Sequence, residues 1–153
     1  MTPARLSRLL VGAVTLAGAA CADGALQLNA LLGVYALETA AGQPLPAVVL
    51  DTIIPDPARD LQVKVVVTAG SLDVKPDGTY EHRVERQLLV FDTPEPITAW
   101  VDGGAFATTD GGLRFVSNLI QNMSFTAVAA NGTLVIEQDL SEEGQTAVYV
   151  YRK

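Results

Sequence analysis

The chain has 153 residues, of which 49% are hydrophobic and 18% charged. This length supports one domain with its own core. The formal net charge of −7 argues against nucleic acid as a partner, because phosphate binding needs clustered basic side chains. A single Cys excludes an intramolecular disulfide framework and a cysteine-based zinc site. A single His argues against His-rich metal sites and most triad chemistry. We therefore expect no metal, no cofactor and no enzymatic activity.

The N-terminus is typical of a secretory signal peptide. Arg5 and Arg8 precede an apolar run from Leu9 to Ala20 that ends in small residues. This run is shorter than the roughly 20 residues that a membrane-spanning helix needs. A buried helix is the alternative, but nothing polar marks a second face. We predict that residues 1–20 are a signal peptide.

The end of this segment bears on anchoring. Leu16–Cys21 is similar to a bacterial lipobox, in which a cysteine is lipidated and becomes the mature N-terminus; Gly18 stands where a larger side chain is expected. Ordinary cleavage after Ala20 or Ala22 is the competing interpretation. We favour lipidation of Cys21, because an exported protein otherwise carries an unpaired thiol.

Localisation follows from the same segment. Removing residues 1–20 takes away two arginines and no acids, so the remaining chain is still more acidic. Anionic lipid surfaces would repel such a domain, and we expect membrane attachment through the lipid anchor only. The predicted location is the periplasmic face of the cell envelope or the outer membrane. Without the anchor, the protein would be secreted or periplasmic.

Residues 21–32 are predicted as a tether or a short helix, and the hydrophobic period becomes two from Gly33 onward. Gly-containing turns at 76–78, 110–112 and 131–132 predict hairpins. Residues 40–60 hold four prolines and are predicted as a long loop that covers something, with a short strand at 48–53. The predicted strands are 33–39, 61–68, 71–76, 79–91, 97–108, 113–118, 124–130, 133–139 and 146–152.

The short connections after residue 60 force sequential strands to be antiparallel neighbours. Closure into a barrel removes the edges that an open sheet would expose. We predict an all-β fold for residues 33–153: one small antiparallel meander barrel of about eight strands. The interior of such a barrel is filled by side chains or holds one small ligand, and the short strands favour a filled one.

Three segments carry a family resemblance: Gly33–Leu37, Gly42–Pro46 and Tyr149–Lys153. Together with the Gly-turn hairpins, they resemble the small lipocalin-like lipoproteins of bacterial envelopes. Tyr35 stands where the lipocalin G-x-W start has Trp. The resemblance implies a barrel in which Arg152 packs across Tyr35 at the closed end, and it implies no particular ligand.

One strand supplies the candidate site. Alternation along 79–91 places Tyr80, His82 and Arg86 on the apolar, inward face. With Trp100 they form the predicted ligand-binding set. An arginine inside a barrel must be paired, lie near the rim or await an anion, because burying an unpaired charge costs several kcal/mol. In the alternative interpretation Arg86 snorkels at the mouth, and His82 hydrogen-bonds to a tyrosine or a backbone carbonyl.

The acidic residues suggest no further site. The acids of the long loop match no calcium-binding loop, and we interpret them as solvated. Asp77, Asp102 and Asp110 each precede Gly, which turn geometry explains. We find no paired carboxylates, nucleophile elbow or phosphate-binding loop, and we predict no catalytic residues.

These observations predict an exported, lipid-anchored, non-catalytic protein that binds a small apolar or amphipathic molecule in the barrel mouth, beneath residues 40–60. The alternative is a packed barrel that acts as a structural or protein-interaction module of the envelope. A ligand binder needs a void of a few hundred Å3. An interaction module needs a filled lumen and an exposed apolar patch.

Overall fold

A computed structural model describes residues 28–121, 123–139 and 146–153. The predicted signal peptide, Cys21 and most of the predicted tether lie outside these residues. No helix of the described chain is long and apolar enough to cross a membrane. The elements, in chain order, are α1 (Leu28–Leu31), β1 (Gly33–Ala40), β2 (Gln43–Pro44), β3 (Ala47–Ile54), β4 (Leu61–Val74), β5 (Thr79–Val90), β6 (Thr93–Pro94), β7 (Thr98–Thr109), β8 (Gly112–Ser117), β9 (Ser124–Ala130), β10 (Thr133–Asp139) and β11 (Thr146–Arg152).

Eight of the strands close an antiparallel barrel in the sequential order β1, β4, β5, β7, β8, β9, β10, β11. The first strand makes the closure. Gly33 to Ala36 pair with the end of β4, and Ala36 to Ala40 pair with β11. The predicted all-β meander barrel is therefore confirmed, and all the predicted hairpin turns connect neighbouring strands of it.

The predicted break between residues 68 and 71 is wrong, because 61–74 is one strand. The pairing of β4 with β5 shifts register between Val67 and Ala69. Thr68 occupies the extra position, and its hydroxyl donates a hydrogen bond to the Glu85 carbonyl at 3.3 Å. A bulge of this kind bends a strand without ending it. The small residues at 68–71, which suggest a turn in the sequence, lie within the pairing of β4 with β5.

Residues 40–60 are not the predicted long loop. They contain β2 and β3, and β3 takes over the edge of β4 above the point where β1 leaves it. The short strand predicted at 48–53 is confirmed and spans Ala47–Ile54. Beyond Arg86, β5 no longer pairs with β7. The sheet thus continues past the barrel wall through residues 47–54, 61–67 and 87–90, with β6 paired to β5. We call this part the extension.

The lower end of the barrel is closed by α1 and by the end of the chain. The Tyr35 hydroxyl donates to the Leu31 carbonyl at 2.9 Å, and the Lys153 ammonium lies 5.8 Å from the Tyr35 ring centroid. Lys153 also donates to the Leu32 carbonyl. The prediction that Arg152 packs across Tyr35 is wrong. Strand alternation turns Arg152 outward, where it pairs with Glu38 at 3.3 Å.

Two glycines allow close approach of β7, β8 and β9. A Cβ on Gly104 would lie 2.0 Å from the Val116 carbonyl oxygen. A Cβ on Gly112 would lie 1.8 Å from the Ala127 carbonyl oxygen. Both distances are far below van der Waals contact with a rigid backbone atom. The sheet can bend tightly at these positions only because the side chain is absent.

We expect Gly112→Ala to lower the free energy of unfolding by at least about 2 kcal/mol, because the backbone of β9 must move. Gly111→Ala is the matched control, since a Cβ there meets nothing within 4 Å. Urea denaturation followed by circular dichroism measures both. Equal stability of the two variants would contradict the close approach.

Candidate functional site

Strand β5 carries the candidate site into the barrel. Tyr80, His82 and Val84 are buried, whereas Glu81 and Arg83 are exposed. The predicted alternation is therefore confirmed. It survives because the register shift of this sheet lies on β4 and leaves β5 regular.

The lower part of the lumen holds a network of polar side chains that are hydrogen-bonded to one another. The carboxylate of Asp102 accepts a hydrogen bond from the Tyr80 hydroxyl and one from the Ser117 hydroxyl, each at 2.6 Å. The Ser117 oxygen in turn accepts from the backbone N–H groups of Leu119 and Ile120 at 3.1 Å. This network ties the loop after β8 to the core, and it occupies the hydroxyl of Tyr80.

The interpretation of Asp102 as a turn residue is wrong. It lies within β7, opposite His82, and is completely buried. The alternation of Trp100, Asp102 and Phe106 along one strand was the signal that could have placed it inside. A Gly following an Asp is therefore a weak indication of a turn when both lie within a strand pattern.

Above this network, His82 is fixed by aromatic neighbours. Its Nε2 atom lies 2.6 Å from the Tyr151 hydroxyl, and its ring meets the edge of Trp100 at a centroid distance of 5.3 Å. Burial lowers the pKa of His82 from 6.5 to about 4; the charge of Arg86 also lowers it, and that of Asp102 opposes the shift. The imidazole is therefore neutral at pH 7. The hydrogen bond to a tyrosine agrees with the alternative interpretation of this residue.

The side chain of Arg86 lacks hydrogen-bond and ion-pair partners within the part of the chain that the structure describes. Its guanidinium lies 5.5 Å from the Trp100 ring centroid, and its Nε atom is buried without a hydrogen-bond partner. None of the ion pairs in the described chain involves Arg86. Asp102 is the strand partner of His82, which precedes Arg86 by four residues on β5. Four residues correspond to about 13 Å along a strand. The cation therefore has no ion-pair partner among the described residues.

Three further buried polar atoms of the described chain lack hydrogen-bond partners: His82 Nδ1, Tyr149 Oη and Gln138 Oε1. The charge of Arg86 acts on both His82 and Tyr149, and Gln138 pairs with Ala147, two residues before Tyr149 on β11. We call Arg86, Trp100, His82, Tyr149 and Gln138 the upper lumen site. The structure thus brings together three of the four predicted ligand-binding residues. Tyr80 lies deeper, in the Asp102 network.

Sequence reasoning missed Tyr149 and Gln138 as site residues. Both lie on the inward face of their strands, which alternation could have shown. Their position relative to Arg86 depends on how the barrel closes, and no local pattern contains that information. Among the described residues, no group of three or more His, Cys, Asp or Glu side chains could hold a metal ion.

The lower lumen is filled, whereas the described residues leave a cavity that touches Gln138 of the upper lumen site. Tyr35, Phe115 and Tyr151 are among the side chains that are fully buried. A cavity of about 550 Å3 opens next to Phe125 and Gln138. A shallower hollow of about 380 Å3 lies beside Tyr80 and Leu119. Of the polar groups that lack partners, Gln138 lines the larger cavity and none lines the smaller one.

The fold and site together define a small closed β-barrel with a filled lower half and an unneutralised cation in its upper half. No family model, curated protein or solved structure matches the chain. The resemblance to lipocalin-like lipoproteins thus stays a prediction from the sequence.

We expect Asp102→Ala to destabilise the protein by about 3 kcal/mol, because two buried hydroxyl groups lose their acceptor. Asp60→Ala, which removes an exposed loop carboxylate, should change stability by less than about 0.5 kcal/mol. Urea denaturation at pH 7 compares the two. A loss at residue 102 no larger than the one at residue 60 would show that the network contributes little.

The low pKa of His82 makes stability depend on pH. The unfolded chain binds a proton near pH 6.5 but the folded chain only near pH 4, so acidification favours unfolding across this window. Between pH 7 and pH 5 the contribution is about 2 kcal/mol. His82→Gln should lose this part of the pH dependence. Parallel stability curves for the two proteins from pH 7 to pH 5 would contradict the assignment.

Proposed function

We propose that this protein is an exported, lipid-anchored, non-catalytic protein of the cell envelope that binds a small amphipathic molecule through the upper lumen site. The observation that carries the proposal is the side chain of Arg86. It enters the barrel interior with a buried, unpartnered Nε atom and no ion pair in the described chain.

A half-buried cation without a counter-charge is costly, and the nearby aromatic ring offsets only part of the cost. A cation–π contact contributes about 1 kcal/mol, whereas desolvating an ion costs several. The hydroxyl of Tyr149 is buried nearby and lacks an acceptor. An anionic oxygen atom of a ligand would satisfy both groups through charge-assisted hydrogen bonds.

The surface that leads away from Arg86 is apolar. Along the inward face of β5 the next residue is Leu88, which pairs with Val65, and Val65 pairs with Leu50 of the extension. Leu88 is 40% exposed, and Ile54 on the same face is 48% exposed. A ligand with one polar end and an apolar body therefore matches this surface, because the cation of Arg86 is followed by apolar side chains.

Export and anchoring are supported by the sequence alone. Both rest on the apolar run behind Arg5 and Arg8, followed by small residues before Cys21. A lipid on Cys21 would hold the acidic domain close to a bilayer that its own charge does not attract. Such a position suits a protein that exchanges amphipathic molecules with a membrane.

The packed-barrel alternative has one observation in its favour. Ile53 lies on the outward face of the extension and is 63% exposed, and Ile97, just before β7, is 55% exposed. Apolar groups of this kind also occur at protein–protein interfaces. The two proposals differ in whether a molecule enters the barrel.

The single tryptophan provides the readout, because Trp100 belongs to the site. The whole chain is expressed with Cys21→Ser, so that no acyl group of its own competes, and the exported protein is purified. Native mass spectrometry after exposure to an organic extract of bacterial envelopes should show a reproducible added mass. Titration with dodecanoate should change the fluorescence of Trp100.

We expect Arg86→Leu to weaken dodecanoate binding at least tenfold, because the headgroup loses its cation. The stability should be equal or higher, because an apolar side chain replaces an unpaired charge. Arg83→Leu is the matched control: the same change on the exposed face of β5, where Arg83 pairs with Glu85 at 3.0 Å. Unaltered affinity in Arg86→Leu would remove this residue from the site. Absence of any bound molecule in the native protein would favour the packed-barrel alternative.

A further inference from the structure

The barrel wall has a gap on the side opposite the extension. Strands β9 and β10 pair from Ala130 and Thr133 to Ala127 and Ile136, and there the pairing ends. Both strands nevertheless continue, β9 from Ser124 and β10 to Asp139. Residues 124–126 and 137–139 are therefore adjacent strand ends that do not pair with each other.

The cavity of about 550 Å3 occupies this gap. Its lining combines both faces of the wall. Phe125 and Gln138 belong to the inward face, whereas Val128, 59% exposed, and Val135 pair with each other on the outward face. The cavity thus lies at the outer surface and borders two inward-facing side chains. Its lining residues are Met123, Ser124, Phe125, Thr126, Val128, Val135, Glu137 and Gln138.

The inner end of the gap is polar. Gln138 pairs with Ala147, and Tyr149 follows two residues later on the same face of β11. Gln138 Oε1 and the completely buried Tyr149 hydroxyl both lack partners. The Phe125 ring lies 5.7 Å from the ring of His82, so the cavity wall and the upper lumen site share a boundary.

We propose that the gap between β9 and β10 is the entrance and seat of the ligand, and that the ligand is a single-chain amphiphile with a monoanionic carboxylate. Its headgroup passes Gln138 and binds the Arg86 guanidinium and the Tyr149 hydroxyl. Its chain lies against Phe125, Val128 and Val135. This inference rests on the proposed function and specifies the ligand class and its route.

Charge and volume determine the class of ligand. Arg86 offers one positive charge, so a monoanion neutralises the site, whereas a dianion would leave a net negative charge half-buried. Glu137 stands exposed at the outer lip and disfavours a headgroup that stays outside. A volume of about 550 Å3 lies within the roughly 300–1,000 Å3 usual for small-molecule sites.

The test places a charge on the apolar outer rim of the cavity, at Val128. Val128→Glu should weaken dodecanoate binding at least tenfold, measured through Trp100 in the same Cys21→Ser protein. The matched control is Val34→Glu, the same change on an outward residue of β1 that is 62% exposed, and it should leave the affinity unchanged. Dodecanol and dodecylamine, which have the same chain, should bind at least tenfold more weakly than dodecanoate.

A second variant keeps the inference testable if Val128→Glu fails to fold. Glu137→Gln removes the lip carboxylate and should strengthen dodecanoate binding about threefold, because a like charge is lost near the path. Unchanged affinity in Glu137→Gln, or in a folded Val128→Glu, would overturn the lateral entrance. If Arg86→Leu still loses binding in that case, the proposed function stands and the ligand enters elsewhere.

The assignment of the headgroup is tested independently of the entrance. Equal binding of dodecanol and dodecanoate would overturn the monoanionic ligand and leave the gap as an apolar seat. Failure of all three probes to bind the native protein would count against the proposed function itself. The experiment therefore separates the route, the headgroup and the function.

Discussion

The regular alternation of β5 is the constraint on which the interior depends. This strand has neighbours on both edges through most of its length, so it cannot rotate to move a polar residue outward. Its inward positions include His82 and Arg86, and the barrel must accommodate both. The packing of the interior therefore depends on whether each inward polar side chain of β5 finds a hydrogen-bond or ion-pair partner.

The two halves of the barrel differ in whether their polar side chains have partners. In the lower half, Asp102 accepts from two hydroxyl groups, and large aromatic side chains fill the remaining space. In the upper half, the Nε atom of Arg86 and the hydroxyl of Tyr149 lack hydrogen-bond partners, and the described residues leave a cavity at Gln138. A polar group without a partner is destabilising in a filled core, but it is available for binding where the wall opens. Satisfied and unsatisfied polar groups are thus separated along the barrel axis.

The sequence predicts the fold class and most hairpins, because alternation and Gly-containing turns are local signals. It also predicts the inward face of β5. It does not show that residues 68–71 form a bulge within one strand, because small residues favour a turn and a bulge equally. It does not reveal the gap either, since unpaired strand ends depend on the register between β9 and β10. Tyr149 and Gln138 reach Arg86 through barrel closure, which no single segment encodes.

The role of β1 as the closing strand has a consequence for folding. Its partner β11 is the last strand of the described chain, and the Ala36–Arg152 pair joins residues far apart in sequence. Contacts of high sequence separation form slowly, because the entropy of the long intervening loop must be lost first. During synthesis the barrel stays unclosed until the final strand has emerged. Until then β1 and β10 each lack a strand partner on the edge that β11 covers.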